Sequence, residues 1–120
     1  MFLGLRTVIY RVRDLAVAKA WYTDAFGIAP YFDEPFYVGF EVGGYELGLH
    51  PYDGELTVGN NEIAYWGVPD IEAAQRHMVE SGAAARDPIQ EVGEGIKVAA
   101  VADPFGNVIG LFQNPHFAVK

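Results

Sequence analysis

Few side chains in this sequence have types and spacing suited to chemistry, and the sharpest of them share one strand. Glu46 and His50 fall on the same face of Tyr45-Glu46-Leu47-Gly48-Leu49-His50, where a carboxylate and an imidazole can serve as an acid–base pair. His50 stands out because an imidazole exchanges its proton at about pH 6.5, close to neutrality. A solvated strand-end histidine beside Pro51 accounts for it as well, and Glu46 equally suits a structural ion pair with His50 or Arg11. His77 lies on a helix and His116 in the tail, and no two histidines are spaced i, i+4 as a helical metal site requires. Ser81 is the only serine, at a helix end, so a Ser-His-Asp arrangement has little to work with. Cysteine is absent, which removes disulfides, thiolate metal sites and a Cys nucleophile. Gly93-Glu94-Gly95 matches neither phosphate-binding glycine motif, and Glu91 and Glu94 would repel phosphate. It reads as a flexible loop before a strand at Lys97, placed where it could also gate a cavity.

The elements that must position these residues occur twice. Thr7-Val8-Ile9-Tyr10-Arg11-Val12 is β-branched and alternating, the signature of a strand. Asp14 then suits a helix N-cap, Leu15, Ala18, Tyr22, Ala25 and Phe26 share a helical face, and Gly27 stops the helix. The second half repeats the order: a strand over Ile63 to Val68, Asp70 as cap, Ile71, Ala74 and Met78 as stripe, and Gly82 as stop. Val12 to Val68 and Asp14 to Asp70 are both separated by 56 positions. Each helix is followed by a hairpin. Phe36 to Val42 turns through Gly43-Gly44 into Tyr45 to His50, and Lys97 to Ala102 turns through Asp103-Pro104-Phe105-Gly106 into Asn107 to Phe112. Short extended pieces near Tyr31 and Ala84 complete two β-α-β-β-β modules. The fold class is therefore α+β: two βαβββ modules, 5–51 and 61–113. The linker is 52–60 and the tail 114–120, all within one domain over 1–120.

Val12-Arg13-Asp14-Leu15 with Trp21-Tyr22 and Phe26-Gly27, then Val68-Pro69-Asp70-Ile71-Glu72-Ala73-Ala74, then Asp103-Pro104-Phe105-Gly106-Asn107, together resemble the vicinal oxygen chelate superfamily. That group includes glyoxalase I, the bleomycin-resistance proteins and the extradiol dioxygenases. The resemblance runs from about Leu5 to Phe117 and specifies the fold better than the reaction. It implies that the paired modules form curved mixed sheets around a concave cavity, a homodimer, and a small-molecule ligand in the concavity. In metal-using members it implies a divalent ion held by His or Gln on each module's first strand and by Glu or His on its last.

Carried over position by position, the first-strand ligands land on Thr7 and Ile63 and the last-strand ligands on Gly48 and Gly110. Glycine has no side chain, isoleucine no donor atom, and a lone threonine hydroxyl is a poor ligand beside imidazole or carboxylate. Glu62 would point to the opposite face from Ile63. No metal and no other cofactor is expected. Alternation along the strands then assigns the cavity lining: Thr7, Ile9 and Arg11; Glu46, Gly48 and His50; Ile63 and Tyr65; Val108, Gly110 and Phe112. This mostly apolar set suits a small-molecule site, and glycines at 48 and 110 either make room for a ligand or allow tight sheet packing.

Composition narrows the partners. With 120 residues, 51% hydrophobic and 20% charged, the chain is a globular domain rather than a disordered one. A net charge of -8 argues against nucleic acid or an anionic membrane surface as partner. No apolar run is long enough to span a bilayer and no signal-peptide layout opens the sequence, so a soluble cytoplasmic protein is expected. The leading reading is a metal-independent small-molecule binding or sequestering protein. The rival is a lyase or isomerase of lactoylglutathione lyase type, using an unrecognised metal set or the pair His50 and Glu46. A third is a fold kept only as an interaction module.

Overall fold

The computed structural model describes residues 1, 3–57, 59 and 62–116. Asn60 of the predicted linker, Asn61 at the start of the predicted second module and residues 117–120 of the tail lie outside them. The chain divides into two compact units, Met1–Thr57 and Val58–Lys120.

In the first unit β1 (Thr7–Val12) leads to α1 (Leu15–Phe26), followed by β2 (Phe32–Glu34), β3 (Tyr37–Val42) and β4 (Tyr45–Pro51). The sheet order is β1-β4-β3-β2, with β1 parallel to β4 and the other pairs antiparallel. Asp14 caps α1 by accepting from the Val17 N–H at 3.2 Å. Gly27 closes the helix in the left-handed conformation, its N–H donating to the Thr23 carbonyl at 2.9 Å. Ala18, Tyr22 and Ala25 form the buried stripe, as the periodicity predicts. Alternation on the strands sends Tyr10, Val12, Val38, Phe40, Leu47 and Leu49 into the same core, where the Tyr10 and Tyr22 rings stack with centroids 5.9 Å apart. Gly43 and Gly44 both take positive φ, 58° and 92°, as a two-residue hairpin turn demands.

The second unit repeats the order: β5 (Ala64–Gly67), α2 (Ile71–Glu80), β6 (Ala84–Gly93), β7 (Ile96–Ala102) and β8 (Val108–Gln113). Its sheet order is β5-β8-β7-β6, with β5 parallel to β8. Asp70 caps α2 by accepting from the Ala73 N–H at 3.1 Å. At the other end the Gly82 N–H donates to Val79 and the Ala83 N–H to Met78, a Schellman closure with Gly82 at φ 111°. Asp103 builds the β7–β8 turn, accepting from the backbone N–H groups of Phe105 (2.9 Å) and Asn107 (2.7 Å) and from the Asn107 side chain (3.1 Å).

The two four-stranded mixed sheets and two helices are the α+β pair of βαβββ modules expected from the repeat. Three details differ. β5 is shorter than the predicted strand and leaves Ile63 and Val68 outside it. β6 is no short piece but ten residues long, an edge strand that carries Pro88 by breaking register between Ala85 and Asp87 and again between Asp87 and Gln90. Gly93-Glu94-Gly95 is a tight β6–β7 hairpin rather than a flexible loop: Glu94 and Gly95 take φ 56° and 78° while Gly93 pairs with Ile96.

Candidate functional site

The polar chemistry of the first unit gathers on the sheet face that α1 leaves uncovered. The β1–β4 register sets Thr7 opposite Glu46, Ile9 opposite Gly48 and Arg11 opposite His50, so the six predicted residues of this unit do share one face. Glu46 is the hub. Its Oε1 accepts from the Thr7 hydroxyl at 2.8 Å and the Tyr37 hydroxyl at 2.7 Å, and its Oε2 accepts from the Tyr31 hydroxyl. The Tyr31 and Tyr37 hydrogen bonds lead in holding the Glu46 carboxyl below the usual glutamate value. The reverse effect raises Tyr31, whose phenol donates to that anion, while Tyr37 is raised first by burial and then by the same bond.

The acid–base pair of Glu46 with His50 is not made. The two are four positions apart on an extended strand, about 13 Å at 3.3 Å per residue, and Glu46 has taken three hydroxyl donors instead. A lowered carboxyl is also a weaker base and a raised phenol a weaker acid, so the cluster suits binding better than proton transfer. His50 is exposed at the strand end. The Arg11 guanidinium does not pair with Glu46; it lies over the Tyr52 ring, 4.6 Å from the centroid.

The second unit is apolar at the matching place. Tyr65 stands opposite Gly110 and Gly67 opposite Phe112. The Tyr65 ring, about half exposed, meets Phe112 edge-on at 6.2 Å. Val108 is buried and Ile63 and Phe112 are half-buried.

The four positions that carry metal ligands in metal-using members of the resembled superfamily do not fit an ion. A Cβ on Gly48 would overlap the Tyr37 hydroxyl and stand 2.5 Å from its Cζ. A Cβ on Gly110 would stand 2.6 Å from Cδ1 of Tyr65 and 2.9 Å from the Ala64 carbonyl oxygen. In each unit, then, a tyrosine fills the space that a ligand's side chain would enter. Thr7 is already committed to Glu46, and Ile63 offers no donor. Among the described residues no group of three or more His, Asp or Glu is arranged to hold a metal.

Tyr31 and Tyr37 are the residues that sequence reasoning missed. Tyr37 had a usable signal: the Gly43-Gly44 turn sets Val42 opposite Tyr45, which counts back to Gly39 opposite Gly48 and puts Tyr37 on the same face. Tyr31 had none, because its place depends on how the chain returns from α1 into β2. A separate cleft of about 350 Å³ lies between α1 and the β2–β3 turn, lined by Leu15, Ala16, Lys19, Asp33, Glu34, Pro35 and Val38. Lys19 and Asp33 form an exposed ion pair in its lining at 3.0 Å.

Among solved structures, a glyoxalase-related enzyme from Fulvimarina pelagi superposes with a TM-score of 0.80 at 18% identity, covering 99% of this chain and 94% of that one. The genomically encoded fosfomycin resistance protein from Listeria monocytogenes gives 0.78 at 15%, covering 97% of both chains. Lactoylglutathione lyase from Agrobacterium tumefaciens gives 0.75 at 17%, covering 100% of both. At these identities the likeness is one of fold. No curated protein sequence matches the chain. Residues 4–111, however, match the family described as Glyoxalase/Bleomycin resistance protein/Dioxygenase superfamily, and the chain belongs to that superfamily.

Proposed function

We propose that this chain is a small-molecule binding or sequestering protein whose site works without a metal ion. The observation that carries the reading is the pair of closed glycines: Tyr37 over Gly48 and Tyr65 over Gly110 stand where ligand side chains would have to project. The electrostatics support binding over catalysis, since Glu46 is held as a stable anion by three hydroxyls rather than poised to take a proton. A lyase or isomerase built on His50 and Glu46 would need those two groups within reach of one substrate atom, and they stand four positions apart along β4, about 13 Å at 3.3 Å per residue.

The test is a thermal-shift screen of a small-molecule library, run with and without a chelator. The reading expects at least one ligand that raises the melting temperature equally under both conditions. Stabilisation that requires added divalent metal, with metal-dependent turnover of hemithioacetals, catechols or epoxides, would sink it.

A further inference from the structure

The two helices of the repeat differ on the side turned away from their sheets. α2 meets solvent with Glu72, Arg76, His77 and Glu80, the polar outer face of a surface helix. α1 does not. Of its twelve residues only Lys19, Thr23 and Asp24 are neither apolar nor aromatic. Lys19 is taken up by Asp33, and the Thr23 hydroxyl folds back to donate to the Lys19 carbonyl at 2.7 Å. Opposite the buried stripe of Ala18, Tyr22 and Ala25, the outer face presents Ala16, Val17, Ala20 and Asp24, all exposed, with Trp21 half-buried on its flank. Val17 alone is 54% exposed. A helix that is apolar on every side is ordinarily covered on every side.

Charge says what covers it. Asp24 lies in the last turn of α1, where the helix dipole disfavours a carboxylate, and among the described residues it joins neither ion pair. The first turn, which would welcome a negative charge, carries no acidic side chain. A second α1 running antiparallel answers both ends at once. Residues 16, 20 and 24 form one i, i+4 ridge. With Ala20 on a two-fold axis, each Asp24 lies four positions from that axis, about 6 Å, level with Ala16 in the other copy's first turn. Alanine at 16 and 20 leaves only methyl groups between the helices, so their axes can approach to about 8 Å. Two chains of net charge -8 repel each other, and a face with a single free charge is where they can meet. An anionic membrane is a poorer occupant, because the one lysine of this helix is already paired.

We infer that the outer face of α1 is the contact surface between two copies of this chain, packed antiparallel about Ala20 with each Asp24 at the start of the other helix. The inference is independent of the metal-free binding reading. A helix of 12 residues is about 18 Å long, so the contact is small and the dimer a weak one.

Sedimentation velocity over a range of protein concentrations tests it. A monomer–dimer equilibrium is expected, with a dissociation constant of about 10–100 μM. Ala20→Glu, at an exposed helical position, should weaken the dimer about tenfold or more, whereas Val79→Glu on the exposed side of α2 should leave it unchanged. Because the chain has no cysteine, single thiols give a second measurement. Under mild oxidation Ala20→Cys should form a disulfide-linked dimer, while Ala16→Cys, about 12 Å from its own copy along the axis, should not. A monomer at every concentration up to about 500 μM, a dimer indifferent to Ala20→Glu, or Ala16→Cys linking as readily as Ala20→Cys would overturn the inference.

Discussion

Replacing Gly48 with alanine is the substitution in which the packing of the site can be read as an energy. Gly48 has an ordinary strand backbone, so alanine by itself should gain about 0.5–1 kcal/mol from reduced chain entropy. The new Cβ would overlap the Tyr37 hydroxyl and stand 2.5 Å from Cζ and 2.9 Å from Cε1. Those are ring atoms, so the whole phenol must swing away and give up its 2.7 Å bond to Glu46. The lost bond costs about 1–2 kcal/mol for a half-buried donor on a charged acceptor, and repacking the displaced ring adds about 1 kcal/mol. Gly48→Ala is therefore expected to destabilise the protein by about 1–2 kcal/mol net, measured by urea unfolding. In a Tyr37→Ala background the obstruction is gone, and the same change should be neutral or stabilising by up to about 1 kcal/mol. The coupling between the two positions is then about 1–3 kcal/mol, within the range of contacting residues. Strictly additive effects would refute the claim that Tyr37 fills the space above Gly48.

Other outcomes follow from the same geometry. Glu46→Gln should cost about 1 kcal/mol at neutral pH, less than a buried charge-assisted network because solvent screens this face. Its folded carboxyl lies below the ordinary glutamate value, so the wild-type advantage is fully present above that value and disappears as pH falls through the folded one. On the alkaline side Tyr31 and Tyr37 are raised, so their contribution holds below the ordinary tyrosine value of 10.0 and fades as pH rises through their folded values. A melting-temperature profile of the two proteins across pH checks both limits. Asp14→Ala and Asp70→Ala should each cost about 1 kcal/mol in urea unfolding, additively, because each cap serves one helix in one unit. Asp103→Ala should cost more, about 2–4 kcal/mol, since it strips a buried carboxylate from three N–H donors in the β7–β8 turn.

Much of the fold was legible because its signals are local and repeat. Asp14 and Asp70 cap, Gly27 and Gly82 close, and the hydrophobic stripes between them need no distant partner to be recognised. Of β6 only the start near Ala84 was legible, because an exposed edge strand with Asp87 and Pro88 in it has the composition of a loop; its bulged pairing with β7 carries it on to Gly93. Glu94 at positive φ was hidden for a similar reason, since glutamate does not advertise a turn that the flanking strands impose. In the site, alternation placed Thr7, Glu46, Gly48 and His50 on one face correctly. It did not reveal that Glu46 would turn to Tyr31 and Tyr37 rather than to His50, because that choice is set by cross-strand distance and by the return of the chain from α1.

The central claim is that the site works without a metal, and native mass spectrometry of the purified protein incubated with equimolar zinc, manganese and nickel tests it most directly. The account predicts the bare polypeptide mass at every metal, with small-molecule adducts unaffected by chelator. One firmly held divalent ion per chain, lost together with ligand binding when chelator is added, would contradict it.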